Sequence, residues 1–297
     1  MASMRDIKRR IKSVKSICQI TRAMKMVAAA KLNRAQSRML AMRPYAHEIE
    51  RMLLRVLPEL SSIDHPLLHQ KNNPKKFGVL VISSDRGLCG GFNSNLMRKV
   101  ASYSASIAGK EAHYMAVGKK AGAYCRRQGL DLISGYSDIM NDLDYGLADK
   151  ISDKLNREFC DGNIDTLYLI YNEFKSAMSQ NIVVRKLLPF DIVHLKQLVP
   201  PEDRVHDEGA DVFEYEPEDT AEFAQLLLPR YLSTMIYRAL LESYASELSA
   251  RMAAMGNATK NADDMIFSLT LNYNKVRQSA ITTEILEIVG GAEALKG

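Results

Sequence analysis

Apolar residues recur at alternating steps of four and three at both ends of the chain and give way to short continuous runs in its middle. Toward the N-terminus the stripe reads Ala28, Leu32, Ala35, Met39, Met42, Ala46, Ile49, Leu53, Val56. Toward the C-terminus it reads Leu241, Ala245, Leu248, Met252, Met255, Thr259, Ala262, Ile266, Leu269, Tyr273, Val276, Ala280. This spacing is the heptad signature of helices wound left-handedly round each other. It predicts one helix from about Met4 to Leu57, kinked at Pro44 and stopped by Pro58, and a second entered at Pro229, whose ring suits a first helical turn. Helices of about 55 to 60 residues would span on the order of 80 to 90 Å. The usual globular helix has only three or four turns, so such a pair is a rod before it is a pocket.

The stripe is irregular in two places. Before Ala28 the apolar positions run Ile7, Ile11, Val14, Ile17, Ile20, Met24. Their steps of three-three and then four-four predict a coil that overwinds and then unwinds, with Met24 to Ala30 packed differently from the rest. After Ala280 the phase slips to Ile281, Ile285, Ile288 and Ala292. A stripe that leaves the seam of a coil faces something else, which predicts a binding surface for a surrounding protein.

The middle has another texture. FGVLVISS, HYMAVG, LDLISGY, TLYLIYNEF and NIVVRKLLPF read as strands, the last two as a hairpin. Helical stretches FNSNLMRKVASYSASIAG, KKAGAYCRRQG and DIMNDLDYGLADKISDKLNREF alternate with them. Alternation of this kind predicts a mainly parallel, Rossmann-like α/β sheet with helices on its faces. The expected organisation is a helix over 1–57, an α/β domain over 75–195, an acidic connector over 196–228 and a second helix over 229–297.

Charge divides the chain more sharply than its net value of +5 suggests. From Arg5 to Arg55 there are fourteen Lys and Arg against Asp6, Glu48 and Glu50, whereas Pro201 to Glu222 carries ten acids. One end should seek acidic partners and the other basic or polar ones. Nucleic acid is not expected, because Arg34, Arg38, Arg43, Arg51 and Arg55 lie within the seam region rather than on a bare helix beyond it. No apolar run reaches the 18 residues of a membrane span, so any membrane association should go through a partner. The basic start resembles a transit peptide, but its helical pattern continues unbroken to Leu57.

Little chemistry is visible. Cys18, Cys89, Cys125 and Cys160 form no CxxC pair and read as reduced thiols. His65 and His69 flank Pro66 in a polar loop and read as surface residues. The turn DRGLCGG lies between a strand and a helix, where backbone N–H groups can cradle phosphate. Yet Gly87, Gly90 and Gly91 do not match GxGxxG, and Gly118-Lys119 is followed by Lys120 rather than Ser or Thr. The glycines therefore read as serving a tight turn, and catalysis by this chain alone is not expected. The alternative left open is a nucleotide-binding α/β enzyme with a coiled-coil arm.

The segments IKRRIKSVKSICQITRAMKMVAAAKL, ISSDRGLCGGFNSNL, ELSARMAAMGNATKNADDMI and NKVRQSAITTEILEIVGGAEAL resemble the gamma subunit of F-type ATP synthase, a likeness that covers nearly the full length. The resemblance implies an antiparallel coiled coil standing inside a ring of three alpha and three beta subunits. It also implies a central domain resting with epsilon on the membrane c-ring, and a non-catalytic rotor role without a cofactor or metal. It implies partner contacts at Arg277 and Gln278 with the beta catch loop, at Arg251 in the same shaft region, and at Met24, Lys25 and Met26 with the lower lever region of beta. Ile281, Ile285 and Ile288 would sit in an apolar bearing, and Tyr215 and Glu216 near the c-ring and epsilon. Chloroplast relatives carry a regulatory cysteine pair in an inserted loop. This chain has no Cys after Cys160, which points to a bacterial enzyme, peripheral on the cytoplasmic side of the plasma membrane.

Overall fold

Heptads at the two ends become two long helices, α1 (Met4–Leu60, 57 residues) and α5 (Thr220–Ala294, 75 residues). The computed structural model describes residues 4–60, 65–140, 143–176, 180–191 and 220–294, with side chains for all of these except 54–60, 220 and 292–294. Between the long helices lie β1 (Lys76–Ile82), α2 (Phe92–Ser106), β2 (Glu111–Val117), α3 (Lys119–Arg127), β3 (Asp131–Tyr136), α4 (Tyr145–Cys160), β4 (Thr166–Phe174) and β5 (Gln180–Leu188). The chain divides into two units, Lys31–Ala250 and Met1–Ala30 with Arg251–Gly297.

The larger unit is built on one sheet of order β3-β2-β1-β4-β5, parallel except for the β4–β5 hairpin. Alternation along β1 sets its two faces. Phe77, Val79 and Val81 point to a core shared with Leu96 and Val100 of α2 and Ala121 and Cys125 of α3. Leu80 and Ile82 point to a second, larger core with Ile151 and Leu155 of α4, Ile49 and Leu53 of α1, and Leu232, Ile236 and Leu240 of α5. At the start of β4, Asp165 is 7 % exposed and accepts from the Lys75 and Lys76 amides at 2.8 and 3.0 Å, with Lys71 alongside. Burial raises the pKa of this carboxyl, but the Lys71 ammonium and the two amides outweigh it and hold the value at about 2.

In this unit α5 is buried on several sides. Leu241, Ala245 and Leu248 continue the heptad stripe, while Ser243 Oγ donates to the Ile82 carbonyl (3.5 Å) and Ser246 Oγ to the Asn172 carbonyl (3.2 Å). These small polar side chains let the helix lie close against the strands while giving each buried hydroxyl a partner.

Three expectations are corrected. α1 passes through both Pro44 and Pro58 and ends at Leu60. Pro44 is tolerated because both it and Leu40, whose carbonyl it leaves unbonded, are exposed and water can serve that oxygen. The second helix begins at Thr220 rather than Pro229, and Pro229 lies inside it with the orphaned carbonyl on exposed Gln225. His65 is buried (9 % exposed), since its Nδ1 accepts from the Leu67 amide and caps a short 3-10 turn, and that burial lowers its pKa.

The smaller unit is a two-helix antiparallel coil. Ile7, Cys18, Thr21 and Ala28 of α1 are buried, Ile11 and Val14 half-buried, and Ile17 and Ile20 exposed at 52 and 59 %. The expected stammer and stutter is therefore absent. The seam keeps strict four-three steps through Ile7, Ile11, Val14, Cys18, Thr21, Lys25 and Ala28, because Cys18 and Thr21 take seam positions that an apolar search had given to Ile17 and Ile20. On α5, Met255 and Ala262 are buried and Met252, Thr259, Ile266, Leu269, Tyr273 and Val276 half-buried, as the stripe predicts, but Ala280 is exposed.

Candidate partner-binding surface

Cross-helix contacts fix how α1 and α5 face each other in the smaller unit. Cys18 Sγ donates to Asp263 Oδ1 (3.1 Å), Thr21 and Thr259 hydroxyls bond at 2.8 Å, and a Cβ placed on Gly256 would meet Lys25 Cε at 3.7 Å. Carried back along both helices, this alignment sets Met4 opposite Arg277. From Arg277 onward every described side chain of α5 is exposed. Among the described residues no helix faces this stretch: Ile281, Ile285 and Ile288 are 48, 54 and 66 % exposed, joined by Leu286 and Val289 at 65 and 58 %.

The other expected contact residues fall in several places. Arg277 and Gln278 are exposed at the start of the unpaired stretch. Met24 is half-buried, Lys25 exposed with its alkyl chain along Gly256, and Met26 62 % exposed. Arg251 is half-buried at the first residue of the smaller unit's α5 segment. Tyr215 and Glu216, with most of the acidic connector, lie outside the described residues.

Sequence reasoning missed further outward apolar positions on the same coil: Ile17, Ile20 and Val27 of α1, and Met265, Phe267 and Leu271 of α5. Ile17, Ile20, Met24 and Val27 recur at helical spacing and share one face. Continuing the four-three count upstream from Ala28 would have exposed them, since it passes through Cys18 and Thr21.

The glycine-rich turn is closed by its own side chains. Ser84 Oγ donates to the Arg86 carbonyl (2.7 Å), and Asn93 Nδ2 reaches Ser84 Oγ (2.7 Å) and Cys89 Sγ (3.1 Å). Leu88 and Gly90 take positive φ, 64° and 57°. The anion position at the start of α3 is filled from within, as Asp85 Oδ1 accepts from the Lys119 and Asp138 amides, each at 3.0 Å. In a sheet of this order the usual ligand crevice opens between the carboxyl ends of β1 and β4, and here Ser243 and Ser246 of α5 pack against those strands.

A groove of about 480 Å³ in the larger unit is bordered by Met39, Met42, Arg43, Glu50, Lys175 and Arg238. Charges at its base satisfy one another: Arg238 bonds Glu242 at 2.9 Å and lies 3.9 Å from Glu50, and Tyr171 donates to Glu242 at 3.1 Å. Among the described residues no group of three His, Cys, Asp or Glu could hold a metal ion. No described helix is long and apolar enough to cross a membrane.

The chain is similar to known proteins over nearly its whole length. A family model described as ATP synthase matches residues 3–295. The ATP synthase gamma chain of Heliobacterium modesticaldum is 44 % identical over 296 residues, covering 99 % of this chain and 100 % of the relative. That of Pelotomaculum thermopropionicum is 43 % identical over 296 residues, with both chains covered in full. Among solved structures, a chain of the central stalk and c-ring of Tetrahymena thermophila mitochondrial ATP synthase aligns with TM-score 0.61 and 29 % identity, covering 80 % of this chain and 99 % of its own. A chain of the Euglena gracilis enzyme shares the fold at TM-score 0.68 and 21 % identity, covering 98 and 94 %. With the family model and full-length relatives in agreement, this chain belongs to the ATP synthase gamma chain family.

Proposed function

We propose that the chain is the central rotor shaft of an F-type ATP synthase, coupling ion flow through a membrane c-ring to ATP synthesis and hydrolysis at the beta subunits. The observation that carries this reading is the unpaired end of α5, where five large apolar residues between Ile281 and Val289 stand exposed on a single helix. An apolar surface of that kind calls for a surrounding partner, and a bearing formed by three alpha and three beta subunits would cover it.

The mechanism follows from symmetry. A single coil has no three-fold axis, so a ring of three alpha–beta pairs around it meets a different face at each catalytic site. Rotation then moves each site through states of different affinity, because only differential contacts shift an equilibrium. Arg277 and Gln278 supply such contacts to the beta catch loop, and Met24, Lys25 and Met26 to the lower lever region, whose acidic loop complements the basic α1. Arg251 acts in the same shaft region. The α/β domain rests on the c-ring beside epsilon, with Tyr215 and Glu216 in that contact. The chain itself catalyses nothing, and it reaches the cytoplasmic face of a bacterial plasma membrane through the complex alone. The internally closed DRGLCGG turn and the Asp85 cap speak against the nucleotide-binding enzyme.

Reconstitution tests this reading. Purified chain mixed with alpha and beta subunits of the same organism should give a complex with one copy per three alpha–beta pairs and a raised ATPase turnover. A chain that stays apart from those subunits and leaves turnover unchanged would overturn it.

A further inference from the structure

Leu88 holds a backbone conformation that the chain elsewhere gives to other residue types. Among the described residues Gly90, Gly109, Gly118, Gly129 and Gly162 take positive φ, and the only others are Asp138 at 61° and Leu88 at 64°. Aspartate tolerates the left-handed region, and the Asp138 amide is tied to Asp85 Oδ1. Leucine is strained there. Packing does not offset that strain, because Leu88 is 66 % exposed, the most exposed of the large apolar residues described in the larger unit.

The turn that presents this side chain is held on both sides of it. Ser84 Oγ donates to the Arg86 carbonyl before Leu88, and Asn93 Nδ2 donates to Cys89 Sγ after it. Asn93 Oδ1 also accepts from the Ser84 amide at 3.2 Å, which joins the two ends. The surroundings are cationic. From Arg86 to Leu130 there are eight Lys and Arg against Glu111 alone, and that carboxylate lies 3.1 Å from His113. Six of the eight are exposed on α2 and α3, which cover one face of the sheet and carry no carboxylate. The Lys120 amide donates to the Ser84 carbonyl at 3.2 Å, which sets the start of α3 beside the turn.

We infer that Leu88 is the anchor of a protein-docking surface: it enters an apolar socket on an acidic partner, while Arg86 and Lys120 meet carboxylates at the rim. An apolar centre with a charged rim is the usual anatomy of such a contact, and a preorganised anchor binds at a lower entropic cost. The single sign of the surrounding charge selects an acidic partner. One leucine is too small to hold a bilayer, where even a whole acyl chain binds marginally, so the occupant is protein and not lipid. The inference rests on the rotor reading for its setting, since the assembled complex supplies the partner.

Leu88→Gly separates the anchor from the fold. In the full-length chain it should lower the unfolding equilibrium constant about five-fold, because glycine accepts the positive φ and little buried surface is lost. In membrane vesicles carrying the ATP synthase assembled with that chain, ATP synthesis driven by an ion gradient should nevertheless fall several-fold. Leu88→Ala, which keeps the strain and removes the anchor, should lower synthesis to the same extent. Arg86→Glu should lower it further than Arg86→Gln. Photo-leucine in place of Leu88 should cross-link in the same vesicles to a partner-subunit peptide of net negative charge. Unchanged synthesis in both Leu88 variants, a glycine variant less stable than the parent, or a cross-link to lipid or to a basic peptide would overturn the inference and leave the rotor reading intact. A parent chain that supports no synthesis would overturn both.

Discussion

Tyr171 of β4 donates its hydroxyl to Glu242 of α5 over 3.1 Å, and the other oxygen of that carboxylate takes Arg238 Nε at 2.9 Å. Glu242 is 6 % exposed, so a charge on the long helix is held in the interior by a sheet tyrosine and a neighbouring guanidinium. Burial, and then the adjacent Glu242 carboxylate, push the tyrosine pKa upward, keeping the hydroxyl protonated as a donor.

Removing that carboxylate should be costly. Glu242→Ala leaves Arg238 and Tyr171 without their shared acceptor and is expected to destabilise by about 2 to 4 kcal/mol. Glu242→Gln, which keeps one acceptor oxygen, should cost less. Denaturant midpoints for the two variants check the order, and equal midpoints would show the charge to be irrelevant.

Asp165 makes a pH-dependent contribution. Its folded pKa, about 2, lies below the ordinary 3.8, so the stability it adds is present above pH 4 and is lost as pH falls toward 2. Allowing for the exposed Lys71 partner, the contribution is about 1 to 2 kcal/mol. Asp165→Asn should lower stability at pH 7 and flatten the difference from the parent near pH 2. A constant difference across that range would refute the assignment.

Gly118 should resist substitution. Its φ is +90°, and a Cβ there would stand 2.3 Å from the Ser83 carbonyl oxygen. Gly118→Ala therefore strains the backbone and forces β1 from β2 where α3 begins, at roughly 3 kcal/mol. Gly109→Ala is the control: its φ is +85° but nothing lies within 4 Å, so it should cost about 1 kcal/mol. Thermal melts of both variants compare the two.

Arg277→Ala and Gln278→Ala should separate function from folding. Both side chains are exposed, so stability should change by less than about 0.5 kcal/mol. ATP synthesis driven by an ion gradient in membranes carrying either variant should fall several-fold. Unchanged synthesis rates would remove these residues from the coupling surface.

Much of the architecture was legible in the chain because local periodicity reports it. The five strand runs, the helices between them and the terminal hairpin lie where the pattern placed them, except that α4 starts at Tyr145 behind its Asp144 cap and not at Asp138. The isoleucines after Ala280 are exposed, but so are Ala280 and every described neighbour from Arg277 onward, so the change of phase is not what exposes them. The upstream seam was misread because hydrophobicity was taken as the mark of burial, and Ile17 and Ile20 outrank Cys18 and Thr21 on any such scale. Pro229 was misplaced for a related reason. Its cost depends on whether the Gln225 carbonyl can reach water, a property of the surroundings and not of the ring.

Unaided, the sequence determined that two heptad helices would bracket an α/β sheet, since repeat spacing and strand composition are properties of the chain itself. Tertiary structure alone decided which side chains share the seam, where Met4 falls against α5, and that Ser243 and Ser246 would hold a helix against β1 and β4. The physical reason is that a seam position, a register and a buried hydroxyl's partner are relations between segments distant in the chain. They are settled only when distant apolar side chains pack together and the polar groups buried among them find partners.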